Sequence, residues 1–392
     1  MDAAELVELL TPEGLRLLDS LPAYESKDDV VKAVATLRAA GHSPALVAAV
    51  LSQSKLRARA VSKFGPFAER MLFTEAGLEQ ATRLGVAARH AGRFRAAGAT
   101  RIVDLGCGIG ADALAMAAIE LTVTGVERDE VTAAVASYNL APWPNASVVH
   151  SAAEDFDLAG YDAAWLDPAR RSEKGRLRDP HDWSPSLDFA FGLAERMPVG
   201  VKLGPGIDRG LIPEDAEAQW VSVDRDVVEL GVWFGALARP GIRRSALIIR
   251  SDGGSDELTA PGDSPDVEVG TLGRYIYEPD GAVIRARLIG DLARSLGATM
   301  VSDDIAWLTA DAAIDTPFAT RFEVIERMPL DEKHIRRELS ARGIGTLEIK
   351  KRGVDIDPAA FRKRLSLRGD GTATLVLTRV AGRRVALLAR RD

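Results

Sequence analysis

Residues 101–112 read Arg-Ile-Val-Asp-Leu-Gly-Cys-Gly-Ile-Gly-Ala-Asp, and this stretch decides the fold. Ile102, Val103 and Leu105 form a short apolar run of the kind that fills a buried parallel strand. Gly106, Gly108 and Gly110 then let the backbone turn tightly and approach a ligand where a Cβ would collide. The Ala-rich stretch 113–119 favours a helix whose N-terminal amides would face that ligand. Strand, glycine loop and helix together predict the nucleotide-binding corner of a doubly wound α/β sheet.

The details of the corner select among ligands. A dinucleotide-binding fingerprint spaces its glycines Gly-x-Gly-x-x-Gly and aims the helix at a pyrophosphate. Here the spacing is Gly-x-Gly-x-Gly, and Asp104 stands two residues before the first glycine. An acid there would repel a phosphate and suits a cationic ligand bearing an amino group. The next strand, 121–126, ends on Glu127, placed to accept hydrogen bonds from both ribose hydroxyls. Asp104, the three alternating glycines and Glu127 resemble motifs I and II of class I S-adenosylmethionine-dependent methyltransferases. The resemblance implies S-adenosyl-L-methionine as cofactor and a Rossmann-like seven-stranded class I sheet. It places Asp104 at the cofactor's amino-acid end and Glu127 on the ribose, with Gly106, Gly108, Gly110 and Arg128 also in contact. The competing readings are a nicotinamide enzyme and a tight turn without ligand.

Composition narrows the setting. The chain has 392 residues, 46% hydrophobic and 27% charged, which fits a globular protein of two or three domains. No apolar run approaches the ~20 residues that span a bilayer, and the opening residues carry no signal-peptide pattern. The single cysteine, Cys107, excludes an intrachain disulfide and a Cys-based zinc site. No His/carboxylate cluster points to a metal, and the expected location is cytoplasmic. The net charge of −7 is unevenly spread. Residues 320–392 hold 18 Lys and Arg against 10 Asp and Glu, so the rest of the chain is strongly acidic. Such a split predicts a polyanionic partner for the C-terminal part.

Along the chain, residues 1–70 read as a helical region, with start signals at Thr11-Pro12 and Ser43-Pro44. Lys55, Arg57, Arg59 and Lys63 fit a solvated helix face or a substrate contact. Thr74 caps a helix predicted over 74–86, which in methyltransferases of this type often closes over the cofactor. The methyltransferase domain is predicted over 71–250. After the third strand, 147–150, many such enzymes place an Asp on the adenine amino group; Ala152 stands there instead. Ala153 through its backbone, or Glu154 or Asp155 through its side chain, is the expected substitute.

The fourth strand, 161–166, runs into Asp167-Pro168-Ala169-Arg170-Arg171. An acid followed by Pro at the carboxyl end of this strand lies at the switch point of an open sheet. The segment resembles the (Asn/Asp)-Pro-Pro-aromatic motif of enzymes that methylate exocyclic base nitrogens. By that resemblance Asp167 and the Pro168 carbonyl accept hydrogen bonds from the target amine. Ala169 and Arg170 depart from the motif, so Arg170 or Arg171 is expected to grip a phosphate, with Trp183 a candidate stacking platform and Lys202 a candidate substrate contact. Arg170 is counted with Asp167 and Pro168 in the catalytic set.

Residues 251–268 carry six acids and no bases and predict a linker, followed by a connecting α/β segment over 269–319. Residues 320–392 read as a small α/β domain whose bases include Lys350, Lys351, Arg352, Arg362, Lys363 and Arg364. These six suit a phosphate-tracking surface. Residues 72–392 together resemble a bacterial family in which a class I methyltransferase precedes a THUMP-like domain, and true THUMP domains bind RNA. The function expected is therefore methylation of an RNA nucleobase, in tRNA or rRNA. A small-molecule or protein methyltransferase, or a non-catalytic RNA module, is the alternative.

Overall fold

The computed structural model describes residues 3–21, 27–169, 171–172, 175–176 and 179–391, with the backbone alone given for 27–32, 171–172 and 175–176. The chain forms two compact units, residues 1–203 with 233–238, and residues 204–232 with 239–392.

The first unit holds five parallel strands: β1 (Arg101–Leu105), β2 (Thr122–Glu127), β3 (Ala146–His150), β4 (Ala163–Leu166) and β5 (Val199–Leu203). Their order is β3-β2-β1-β4-β5. The chain therefore moves outward from β1 in one direction, returns to its other side at β4, and opens a crevice between β1 and β4. Residues 102–105 of β1 are all buried, as the apolar run predicts. Trp165 of β4 stacks on Trp233 at 5.3 Å between ring centres. A Cβ on Gly200 of β5 would come within 2.7 Å of both rings, so only glycine fits between them.

The N-terminal region is helical, as predicted. Thr11 and Ser43 cap the helices Pro12–Ser20 and Pro44–Phe64 by accepting from Gly14 N and Leu46 N. Gln53 of the long helix exchanges two hydrogen bonds with the Phe73 backbone, 2.7 and 3.0 Å. Asn139 of the helix Glu130–Leu140 does the same for Leu72 and also donates to Ile109 O. Two buried amides thus tie the segment entering the cavity wall to helices on both sides. Arg57, Arg59 and Lys63 are engaged within the chain, on Asp19 and Met71 O, on Glu75, and on the carbonyls of Leu78, Glu79 and Ala81.

In the second unit, β6 (Glu217–Val223) and β7 (Asp226–Trp233, whose last residue belongs to the first unit) are joined by Asp224-Arg225. Both of these residues have positive φ, the signature of a two-residue hairpin turn. β8 (Arg244–Ile249) runs parallel to β6, and β9 (Ser255–Ala260) runs antiparallel to β8. The acidic stretch read as a linker therefore contains a strand. Its composition misled because Glu257 is not solvated but accepts from Arg239, Ser245 and Gln219.

A second sheet of seven strands runs, in spatial order, Thr299–Met300, Leu308–Ala310, Tyr275–Pro279, Ala319–Pro329, Arg383–Arg391, Gly371–Val380, Ile344–Lys351. The segment 269–319, expected as a connector, supplies three of them. Helices Glu332–Ala341 and Pro358–Leu365 bury Ile335, Leu339, Phe361 and Leu365 in one core with Leu375, Leu377 and Leu388. Trp307, Phe322, Val376 and Leu387 belong to another. No helix among the described residues is long and apolar enough to cross a membrane.

Candidate active site

The site begins at the turn that follows β1. Gly106, Gly108 and Gly110 all have positive φ, 84°, 55° and 85°, which a side chain would strain. A Cβ at Gly106 would lie 3.3 Å from the backbone oxygen of Asp167, so the glycine lets the loops after β1 and β4 close together. Gly108 has no atom within 4 Å of its missing Cβ and leaves open space. Glu127, at the end of β2, accepts from Gly108 N (3.0 Å) and Asp129 N (2.9 Å), which fixes its carboxylate beside the loop.

These groups line one cavity. Gly106, Cys107, Gly108, Ile109 and Asp112 form one wall, and Glu127, Arg128, Thr132, Ser151 and Ala153 another. Asp167, Ala169, Ser184 and Pro185 stand at the β4 side, and residues from Thr74 to Thr82 cover the loop. The cover differs from the single helix expected over 74–86. A short helix, Glu75–Gln80, stops before Thr82, and a second starts at Leu84. Thr74 caps the first by accepting from Gly77 N (2.9 Å), and Lys63 Nζ donates to its last carbonyls. Burial, then the charges of Lys202 and Arg83, pull the Lys63 ammonium down to about 8. The break frees Thr82 to reach the cavity.

From Thr82 a polar chain runs through the interior. Lys202 Nζ donates to Thr82 Oγ1 (2.8 Å) and is ion-paired with Asp167 Oδ2. Thr82 Oγ1 donates to Asp112 Oδ2 (2.7 Å), and Asp112 Oδ1 accepts from His90 Nδ1 (2.8 Å). His90 lies on Trp165, ring centres 4.3 Å apart. Burial would raise the Asp112 carboxyl, but the hydrogen bond and charge of His90, then Lys202 and Thr82, hold it below its ordinary value. Asp104 behaves oppositely. It is 1% exposed, and neither carboxylate oxygen has a hydrogen-bond partner among the described residues. Burial, then repulsion from Asp112 and Asp167, push it well above the carboxylate range.

Comparison with known proteins agrees with this geometry. An uncharacterized S-adenosylmethionine-dependent methyltransferase of Mycobacterium tuberculosis, strain CDC 1551 / Oshkosh, is 35% identical over 340 residues, 83% of this chain and 90% of the relative. The chain belongs to the S-adenosylmethionine-dependent methyltransferases. The corresponding protein of strain H37Rv matches to the same extent. Residues 319–391 of this methyltransferase match the THUMP domain-like family, and residues 2–60 match a domain of unknown function, DUF8688. Its fold is shared by the crystal structure of a candidate methyltransferase from Porphyromonas gingivalis W83, at 22% identity and a TM-score of 0.76, covering 100% of this chain and 99% of that one.

The cavity of the methyltransferase fits S-adenosylmethionine on its own chemistry. Three carboxyl side chains, Asp112, Glu127 and Asp167, line it against one guanidinium, Arg128. That excess of acid suits a ligand whose sulfonium and ammonium outnumber its single carboxylate. Of the residues expected at the cofactor, Thr74, Gly106, Gly108, Glu127, Arg128 and Ala153 line the cavity. Gly110 instead caps the helix Ala111–Ala118, packed on Leu140. Asp104 lies outside the lining, because it is buried in the sheet, and Glu154 points to solvent on a surface turn.

On the substrate side Asp167 lines the cavity, with Pro168 buried behind it and Lys202 bound to it. Trp183, expected as a stacking platform, is 8% exposed and outside the lining; packing holds it, while its neighbours Ser184 and Pro185 reach the cavity. Arg170 and the Arg171 side chain lie outside the described residues. Sequence reasoning missed Thr82, His90 and Asp112. One signal was available: Asp112 is the lone charged residue in Ala111–Ala118, whose residues 111–117 are all buried.

The C-terminal bases divide. Lys350 is ion-paired with Glu278 and Glu348, Arg352 donates to Ala306 O, and Arg364 is ion-paired with Glu332. These three serve their own fold, because acids and carbonyls of neighbouring elements reach them first. Lys351, Arg362 and Lys363 are exposed. Arg379, Arg383 and Arg384, not singled out in the sequence, are exposed as well.

Proposed function

We propose that this methyltransferase modifies a nucleobase of RNA, transfer or ribosomal. The observation that carries the reading is the basic end of the second sheet. Arg379 and Arg384 are register partners on adjacent strands, and Arg383 follows the turn between them. Arg379 Nε donates to Gly353 O (2.9 Å), which brings the Lys351 strand end to the same place. None of the four bases has an ion pair among the described residues. Like charges directly opposite on a sheet destabilise it, so their placement calls for an external anion. A phosphate backbone supplies one, and the match to the THUMP domain-like family supports the same choice.

The cavity supports the chemistry. S-adenosylmethionine supplies an activated methyl group, and the chain's work is to hold the target in line with it and exclude water. Glu127 takes the ribose hydroxyls. Asp167 and the Pro168 carbonyl accept from an amine on the target base, with the Lys202 ion pair holding the Asp167 carboxylate in place. The test is transfer of labelled methyl from S-adenosylmethionine to RNA, protein and small-molecule fractions of a strain lacking the protein. Label is expected in RNA. Label confined to the other fractions would overturn the reading.

A further inference from the structure

We propose that Asp112 is the receptor for the α-ammonium group of the bound cofactor, a task the motif assigns to Asp104. The inference rests on the placement of Glu127 at the ribose. Sheet order gives the cavity a direction. Glu127 ends β2, and Ser151 and Ala153 follow β3, so these groups line the β2–β3 side. Asp167 follows β4 and Lys202 stands in β5, on the opposite side of β1. Asp112 is tied to that opposite side, because its partner Thr82 receives the Lys202 ammonium. A ligand with its ribose at Glu127 therefore extends its amino-acid arm toward Asp112.

The two acids differ in what they can offer there. Asp112 lines the cavity, is 6% exposed, and has each oxygen fixed by one hydrogen bond, from Thr82 and from His90. A carboxylate oxygen accepts about two bonds, so both retain a lone pair for a cavity donor. Asp104 does not line the cavity, and its crowding with Asp112 and Asp167 disfavours the charge an ammonium would seek. The ionised, held and accessible acid is Asp112.

Calorimetric titration with two probes tests this: S-adenosylhomocysteine, which carries the amino-acid arm, and 5′-methylthioadenosine, which lacks it. Asp112→Asn is expected to weaken S-adenosylhomocysteine about 10- to 100-fold, the scale of a lost charged hydrogen bond, and to leave 5′-methylthioadenosine within about twofold. Asp104→Asn should change neither by more than about twofold. Unchanged S-adenosylhomocysteine affinity in Asp112→Asn, or an equal loss for both probes, would overturn the proposal, as would a selective loss in Asp104→Asn instead. Should Asp112→Asn fail to fold, Thr82→Val decides: a selective loss for S-adenosylhomocysteine supports the proposal, and an equal loss or none overturns it. Glu127→Ala separates the underlying reading, because a ribose contact must weaken both probes together. Both probes unaffected there would sink the ribose assignment even if the Asp112 selectivity held.

Discussion

The glycine-loop cavity and the basic end of the C-terminal sheet treat charge in opposite ways. Around the cavity, Asp112 and Asp167 sit close enough to raise the buried Asp104 carboxyl, and Lys202 pairs with Asp167 directly and reaches Asp112 through Thr82. Each group has a definite partner or a definite lack of one, and a low dielectric makes the distinction expensive. At the C-terminal sheet the bases are mostly solvated, and six expected RNA contacts dissolve into three residues held by their own chain and three left outside. Buried charges thus acquire individual roles from their neighbours, whereas surface charges act through their number and arrangement. A count of Lys and Arg along the sequence predicts a partner's sign and cannot say which bases meet it.

That contrast can be broken first at the cavity. Asp167→Ala should lower methyl transfer by about 100-fold or more, the cost of losing alignment at the reacting atom, while S-adenosylhomocysteine affinity stays within about twofold. Single-turnover transfer and calorimetry on the same variant check both halves. Full activity would place the reacting centre elsewhere. Next, Glu127→Ala should cost about 1.5–3 kcal/mol of cofactor affinity, because a charged acceptor is lost and Gly108 N and Asp129 N lose theirs. Unaltered titration curves would contradict the ribose contact.

The C-terminal side gives a smaller, graded effect. Replacing Arg383 and Arg384 with Ala should make the salt dependence of RNA binding shallower by about 1.4 in log–log slope, if each neutralises one phosphate of a single strand. Lys350→Ala should leave that slope where it was, because Glu278 and Glu348 already occupy the ammonium. Filter binding at several salt concentrations distinguishes the two. Equal effects would mean that individual placement on this surface does not matter.

The smallest effect concerns stability. The Asp104 carboxyl is raised in the folded protein, so between its unfolded value and its folded one the folded state binds more protons. Stability from this group is present at low pH and lost as pH rises through that window. Asp104→Asn should therefore raise the thermal midpoint by about 2–4 °C at pH 7–8, and the gain should shrink toward pH 4. A gain independent of pH would show that charge burial is not its source.

How much of this was legible in the chain follows from the range of each interaction. Ile102, Val103, Leu105 and the three glycines specify a buried strand and a tight turn through their own backbone preferences, and Glu127 stands one strand further on. Thr74 as a cap is likewise local, its bond reaching only three residues. The acidic stretch around Glu257 was misread because its salt partner Arg239 lies outside it, in the loop before β8.

By itself, then, the sequence determined the β1–loop–helix corner, the cofactor it suits, and the sign of charge at each end of the chain. All three depend on residue identity within a few positions or on totals. Only the tertiary structure decided which acid faces the cavity. Asp104 and Asp112 are eight positions apart and equally acidic as letters. What separates them is Thr82, His90 and Lys202, up to 120 residues apart in sequence and brought together by the strand order. A buried carboxylate keeps its charge only where such partners converge, and convergence is a property of packing.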